Sequence, residues 1–233
     1  MSEHNVNTIN MYNSGGALEY IHNNSINPET EKWERLFNYI EKQLGGDKSK
    51  TIIELGSGCG ELSIMLQSAG YDITATDIVD DFLNEQSRIG LKKIVKYNFL
   101  LDDYDQIFDI KADLIVSWRN PHLDMDDMRK LFEVAYNGLK DNGILIINFQ
   151  NSDVHPNANI LANGTKYEYK ILEDKKTKEK RFYAYFSKSD IESLRKDLFE
   201  IDEYHTEGGK EQKNWHVLTL RKVKKHSIEE ADK

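Results

Sequence analysis

Between Thr51 and Asp77 the chain passes from a short apolar strand, Thr51 to Leu55, through the turn Gly56-Ser57-Gly58-Cys59-Gly60 into an amphipathic stretch, Glu61 to Ala69, and then along a second apolar strand, Asp72 to Asp77. Two strands joined by a helix in this way are parallel neighbours, because the crossover that parallel pairing needs is the helix itself, and its hand is right. Glycines at alternate positions let the backbone turn sharply and approach a ligand without Cβ clashes. The segment therefore predicts an α/β sheet covered on both faces, with a ligand site at the carboxyl end of its first strand.

The alternation continues along the chain. Asp80 to Ile89 reads as a helix, Lys93 to Asn98 as extended, Ala112 to Trp118 as a strand and Gly143 to Phe149 as a strand after the Asn142-Gly143 turn. Asp124 to Leu139 is the clearest helix, since Met125, Met128, Leu131, Phe132, Ala135 and Leu139 form one stripe, with Asp124 as cap and Asp127 completing a capping box. Beyond Gln150, Lys166 to Leu172 and Lys180 to Phe186 flank a charged turn at Asp174 to Glu179, which reads as a hairpin inserted above the sheet. Ser187 to Leu198 is a helix with Ser187 and Asp190 at capping-box spacing, and Glu200 to Thr206 and Trp215 to Lys222 are final strands joined through Gly208-Gly209 as antiparallel neighbours.

Ahead of the sheet, Asn27-Pro28 opens a helix in which Trp33, Leu36, Phe37, Ile40 and Leu44 recur at helical spacing before Gly45-Gly46 stops it. The first 26 residues, rich in Asn and Gly with aromatics at Tyr12 and Tyr20, read as a loose arm or a lid. The expected organisation is an arm and helix over 1–48, one α/β domain over 49–223 with its insertion at about 151–187, and a polar tail over 224–233.

Charge narrows the partners. The chain has 31 Lys and Arg against 40 Asp and Glu, a net charge of −9, the opposite of what a phosphate-neutralising protein gathers, so no nucleic-acid partner is expected. No stretch approaches about 20 consecutive apolar residues, so no membrane partner is expected either. Met1 to Asn10 lacks the basic and apolar regions of a secretory leader, and the single cysteine, Cys59, cannot form an internal disulfide. Both fit a cytoplasmic protein. No Cys or His spacing suggests a metal.

Two ligands suit the glycine turn. A dinucleotide fingerprint places its third glycine one residue later, where this chain has Glu61, whose carboxylate would oppose a pyrophosphate. No Lys-Ser or Lys-Thr follows the turn, so a triphosphate-cradling loop is absent. The segment Glu54 to Gly60 with Asp77 closely resembles the signature of class I S-adenosylmethionine-dependent methyltransferases, an acidic residue, any residue, then three glycines at alternate positions. The resemblance covers roughly Trp33 to Val223 and includes the closing pattern Phe186-Ser187-Lys188, then Trp215-His216-Val217-Leu218; it looks like the small single-domain branch that acts on metabolites.

This resemblance implies a doubly wound, mostly parallel, seven-stranded Rossmann-like sheet with an antiparallel final pair, and S-adenosylmethionine as cofactor. It implies that the backbone of Gly56, Ser57 and Gly58, in the turn closed by Gly60, holds the methionine part of the cofactor, and that Glu54 orients the loop or meets the ammonium. Asp77 would accept both ribose hydroxyls, Ile78 would pack on the adenine face, and Asn98, followed by Phe99, would meet the adenine amino group where the family often has Asp. Ser117, at the end of the fourth strand, completes the cofactor set.

Methyl transfer is an in-line displacement whose leaving thioether needs no protonation, so alignment and exclusion of water can supply much of the rate. The acceptor is expected beside Trp118 and Asn120, with Tyr12 and Tyr20 closing over it. His122 is the leading candidate for a general base because imidazole titrates near neutrality; a polar loop residue beside the Asp124 helix is the competing reading, and His155 has the same two readings. Asn120-Pro121-His122 partly matches the Asn-Pro-Pro-aromatic motif of base-methylating enzymes, but His122 and Leu123 replace its last two residues. The expected function is methyl transfer to a small molecule. A peptide or protein acceptor, NAD-dependent oxidoreduction and a noncatalytic cofactor-binding regulator are the alternatives.

Overall fold

The computed structural model describes residues 2–26, 30–120, 122–171, 180–208 and 214–224. The main strands are β1 (Thr51–Leu55), β2 (Asp72–Asp77), β3 (Ile94–Lys96), β4 (Ala112–Ser117) and β5 (Leu139–Gln150); between β5 and the last pair come β6 (Asn159–Ile160), β7 (Lys166–Ile171) and β8 (Lys180–Tyr185), then β9 (Phe199–Glu207) and β10 (Trp215–Lys222). Seven of them form one sheet in the order β3-β2-β1-β4-β5-β10-β9. The first five are parallel, and β10 is antiparallel to both β5 and β9. This is the doubly wound sheet with an antiparallel final pair that the alternation and the resemblance led us to expect.

The sheet is buried on both faces because its strands carry apolar residues at odd and even positions alike. Ile53, Ile115, Leu145 and Ile147 face one core, with Leu131 and Phe132 of α7 (Met125–Gly138) and Ile191 and Leu194 of α8 (Lys188–Arg195). Ile52, Leu114, Val116, Ile144 and Ile146 face the other, with Trp33, Leu36 and Ile40 of α3 (Thr30–Leu44) and Leu62 and Leu66 of α4 (Glu61–Ser68). Two further crossovers, α5 (Asp80–Arg88) and the single-turn α6 (Tyr104–Ile107), complete the layers.

Residues 3–26 are ordered helix rather than a loose arm: α1 (Glu3–Met11) and α2 (Ala17–Ile26) join through a wide turn at Tyr12–Gly16, where Gly15 takes φ +109°. Asp124 caps α7 as its sequence position predicts, accepting from the amides of Asp126 and Asp127. The expected capping box with Asp127 does not form. That carboxylate turns to the N-terminal segment, accepting from Ser2 Oγ at 2.6 Å and Ser2 N at 3.1 Å, and so ties α1 to the domain. Ser187 and Asp190 do form their box.

The insertion is a small antiparallel sheet in the order β6-β7-β8, with β6 an addition to the expected hairpin. Phe186 N donates to Gln150 O at 2.8 Å, seating the insertion at the carboxyl end of β5, and His4 of α1 stacks on Phe182 with ring centroids 4.3 Å apart. The Asn27-Pro28 opening, Pro121, the charged turn at Asp174 to Glu179, Gly209 and the tail beyond Lys224 lie outside the described residues. Among the described residues no helix is long and apolar enough to cross a membrane, and no cluster of three or more His, Cys, Asp or Glu could hold a metal.

Candidate functional site

Strand order reverses between β1 and β4, and loops that leave the two strands in opposite directions open a crevice at their carboxyl ends. A cavity of about 330 Å³ occupies that crevice. Its floor comes from successive strand ends: Gly56, Ser57 and Gly58 after β1, Asp77 and Ile78 after β2, Asn98 and Phe99 after β3, and Trp118, Arg119 and Asn120 after β4. Its roof comes from Tyr12 and Tyr20 of the N-terminal segment and from Arg181 and Tyr183 of β8, with His122 between. Residues distant in the chain thus enclose one volume, because the arm and the insertion both fold back over the strand ends.

The glycine turn is held from several directions. Ser57 N donates to Thr76 O at 2.8 Å, and Gly58 N to Asp77 Oδ2 at 2.9 Å. Gly56 has φ +69°, and a Cβ there would stand 2.7 Å from Asn120 Oδ1, so glycine is required by conformation and by space. Gly60 sits behind the cavity, where a Cβ would meet Leu91 at 2.8 Å; the third glycine serves helix packing rather than ligand approach.

Asp77 is already committed to the loop backbone. Its Oδ1 accepts from Ile78 N at 2.7 Å and Val79 N at 3.0 Å, besides the Gly58 bond to Oδ2. Burial raises its carboxyl above the ordinary range, and these three amides partly oppose that shift. The lone pairs that remain can accept further bonds at the cavity wall. Glu54, 3% exposed, accepts from Ser63 Oγ at 2.5 Å, and burial, with Glu61 and Asp77 nearby, pushes its carboxyl up to about 8. Asn98 uses its Oδ1 to accept from Leu100 N at 3.1 Å, a turn-stabilising bond, while still lining the cavity beside Phe99.

His122 lies on the wall but does not have the near-neutral imidazole expected of a general base. Its Nδ1 faces Phe182 O at 2.7 Å, and since a carbonyl only accepts, that nitrogen carries the proton and Nε2 the lone pair. Burial, helped by the Arg181 charge and opposed by the carbonyl bond, holds its pKa at about 4. His155 does not reach the cavity: it stacks on Tyr185 at 3.8 Å with Glu168 3.6 Å from its Nδ1. Ser117 is also set back, with its Oγ accepting from Asn120 Nδ2 at 2.8 Å, and a second Asn120 bond to Leu55 O at 3.2 Å ties the β4 and β1 ends together.

Sequence reasoning missed Gln86, which is fully buried on α5 and donates to Ser57 Oγ at 2.9 Å and Gly58 O at 2.7 Å. In a polar helix it reads as one more solvated glutamine, so no sequence signal marks it. Gln86→Ala should lower stability by about 1–3 kcal/mol and loosen the glycine turn, read by thermal unfolding together with amide exchange at Ser57 and Gly58. Unchanged exchange there would assign Gln86 to packing alone. Arg119, which lines the cavity after β4, holds φ +58°, a strained conformation at a strand end of the kind that gathers at functional sites.

Residues 52–143 match the family model described as a methyltransferase domain. The chain carries a methyltransferase domain. Its matched span runs from β1 to Gly143, which lies within β5 rather than in the expected turn, and takes in the glycine loop, Asp77 and the β4 end. Among curated proteins the chain is 28% identical over 130 residues to an uncharacterized methyltransferase of Staphylococcus carnosus, covering 53% of this chain and 59% of that protein. It is 25% identical over 167 residues to a glycine/sarcosine N-methyltransferase of Aphanothece halophytica, covering 65% and 61%. The match thus spans about six-tenths of the length of either relative.

Solved methyltransferases share the fold over nearly the whole chain. Magnesium protoporphyrin IX methyltransferase from Synechocystis, with bound S-adenosylhomocysteine, superposes with a TM-score of 0.67 at 14% identity, covering 95% of this chain and 100% of that one. An S-adenosylmethionine-dependent methyltransferase from Clostridium acetobutylicum gives 0.64 at 19% identity, covering 90% and 99%. The seven-stranded sheet, including the antiparallel β9–β10 pair beyond the matched span, therefore has the Rossmann-like methyltransferase fold.

Proposed function

We propose that the protein is an S-adenosylmethionine-dependent methyltransferase acting on a small-molecule acceptor. The observation that carries the reading is the single cavity in which the glycine turn and Asp77 meet an aromatic roof drawn from the N-terminal helices and the insertion. Its acids suit this cofactor: Glu54, Glu61 and Asp77 line it, which favours a ligand with cationic and hydroxyl groups and disfavours a pyrophosphate. Gly58, with nothing within 4 Å of a Cβ built on it, leaves the backbone open to close approach.

When bound, this cofactor supplies an electrophilic methyl on a sulfonium, with a neutral thioether as leaving group. The chain's part is to hold and enclose. Gly56, Ser57 and Gly58 offer backbone groups for the amino-acid end of the cofactor, Asp77 offers carboxylate oxygens for its ribose, and Ile78 and Phe99 offer apolar surface for its base. Tyr12, Tyr20 and Tyr183 exclude water from the volume over the strand ends, where alignment is worth most. His122, neutral with Nε2 unprotonated, suits a hydrogen-bond acceptor that orients an acceptor N–H or O–H better than it suits a strong base. A volume of about 330 Å³, partly open to solvent beneath its aromatic roof, favours a metabolite-sized acceptor over a peptide or nucleic acid.

Calorimetric titration with S-adenosylmethionine, S-adenosylhomocysteine and NAD is the direct test. The first two should bind with similar affinity and NAD should not. Binding of NAD alone would replace this reading with a dinucleotide enzyme. Binding of the first two without turnover on any pooled metabolite would favour a regulator.

A further inference from the structure

Arg181 of β8 lines the cavity roof, half-buried. One terminal nitrogen is 3.8 Å from Met11 Sδ, the guanidinium carbon is 5.2 Å from the Tyr12 ring centroid, and Nε is shielded from solvent with no hydrogen-bond partner. Among the described residues no carboxylate pairs with it. The three acids of the same cavity are engaged elsewhere, Glu54 with Ser63, Asp77 with the loop amides and Glu61 with Asn24. A guanidinium carries five donors in a fork that matches a carboxylate or phosphate, and leaving such a charge unmatched in a partly desolvated wall is costly. The contacts that hold Arg181 come from Met11 and Tyr12 of the roof, and His122, which suits orienting an acceptor, feels its charge.

We infer that Arg181 receives an anionic group, a carboxylate or a phosphate, on a small acceptor whose apolar or planar body lies against Tyr12 and Tyr183. The inference rests on the methyl-transfer reading above and names the substrate class for it. Tyr12 and Tyr183 give the body of such a molecule aromatic surface, and neutral His122 adds no competing charge. The anion satisfies Arg181 and fixes one end of the acceptor, leaving the other end for the methyl-accepting atom.

The test uses the full chain saturated with S-adenosylhomocysteine, titrated with benzoate, phenyl phosphate and benzamide as probes of one shape and different charge. Benzoate or phenyl phosphate should bind about tenfold or more tightly than benzamide, and whichever wins identifies the anion. In Arg181→Gln that preference should vanish, while Arg181→Lys should keep part of it. S-adenosylhomocysteine affinity of each variant serves as the control for folding and for cofactor binding, and should match the wild type. Equal binding of charged and neutral probes to the wild type, or binding of none at millimolar concentration, overturns the assignment. So does weaker S-adenosylhomocysteine binding in a folded Arg181→Gln, which would give Arg181 to the cofactor carboxylate. Failure of the wild type to bind S-adenosylhomocysteine at all would sink the methyl-transfer reading itself, a distinct result.

Discussion

Asp77→Ala should weaken S-adenosylhomocysteine binding on the order of a hundredfold and should also lower the stability of the unliganded protein by about 2–3 kcal/mol. The two effects have one origin. The carboxylate proposed to meet the ribose already accepts from Gly58 N, Ile78 N and Val79 N, so its removal strips acceptors from three amides of the binding loop as well as from the ligand. Asp77→Asn separates them. One amide oxygen can still serve Ile78 and Val79, so most of the stability should return, while the lost charge and the lost acceptor for Gly58 keep binding about tenfold weak. Calorimetry and thermal unfolding on the same samples read both quantities. Wild-type affinity in Asp77→Ala would mean that the ribose is held elsewhere.

Glu54 predicts a pH dependence with a definite sign. Its folded-state carboxyl is raised from an ordinary value of 4.5 to about 8, so between those values the folded protein holds a proton that the unfolded chain has released. Stability from this group is complete below about 4.5 and declines as pH rises through about 8. Glu54→Gln keeps an oxygen for Ser63 Oγ and removes the titration, so the variant should be the more stable protein at pH above about 8, by a few kcal/mol at most. A cationic group brought near Glu54 favours its ionised form, so wild-type affinity for S-adenosylhomocysteine should increase with pH toward about 8 and proton release should accompany binding, whereas the variant should bind with a flat profile. Denaturant unfolding across pH and calorimetry in buffers of different ionisation enthalpy check the two halves. A wild type as stable above pH 8 as at neutrality would show that Glu54 is solvated or paired differently from the geometry described.

The sequence alone determined the sheet, because period and punctuation are local properties. Apolar runs from Ile52 to Leu55 and from Leu114 to Val116 are readable as strands buried on two faces, the stripe from Met125 to Leu139 as a helix, and Gly56 and Gly58 as a turn that needs glycine. Asp77 is legible for the same reason, since its place at the end of the second strand puts it beside that turn.

What tertiary structure decided are the matters that turn on burial and on partners far along the chain. Gln86 and Arg181 look like solvated side chains until α5 and β8 are seen against the loop and the cavity. Asp127 completes a capping box on paper and instead fastens Ser2, which brings the stretch read as an arm or a lid against the domain. His122 and His155 stand in equivalent loops and differ only in environment. One is desolvated against Phe182 O on the cavity wall, and the other is stacked on Tyr185 away from it, because the chemistry of an imidazole is set by what surrounds it and not by its place in the sequence.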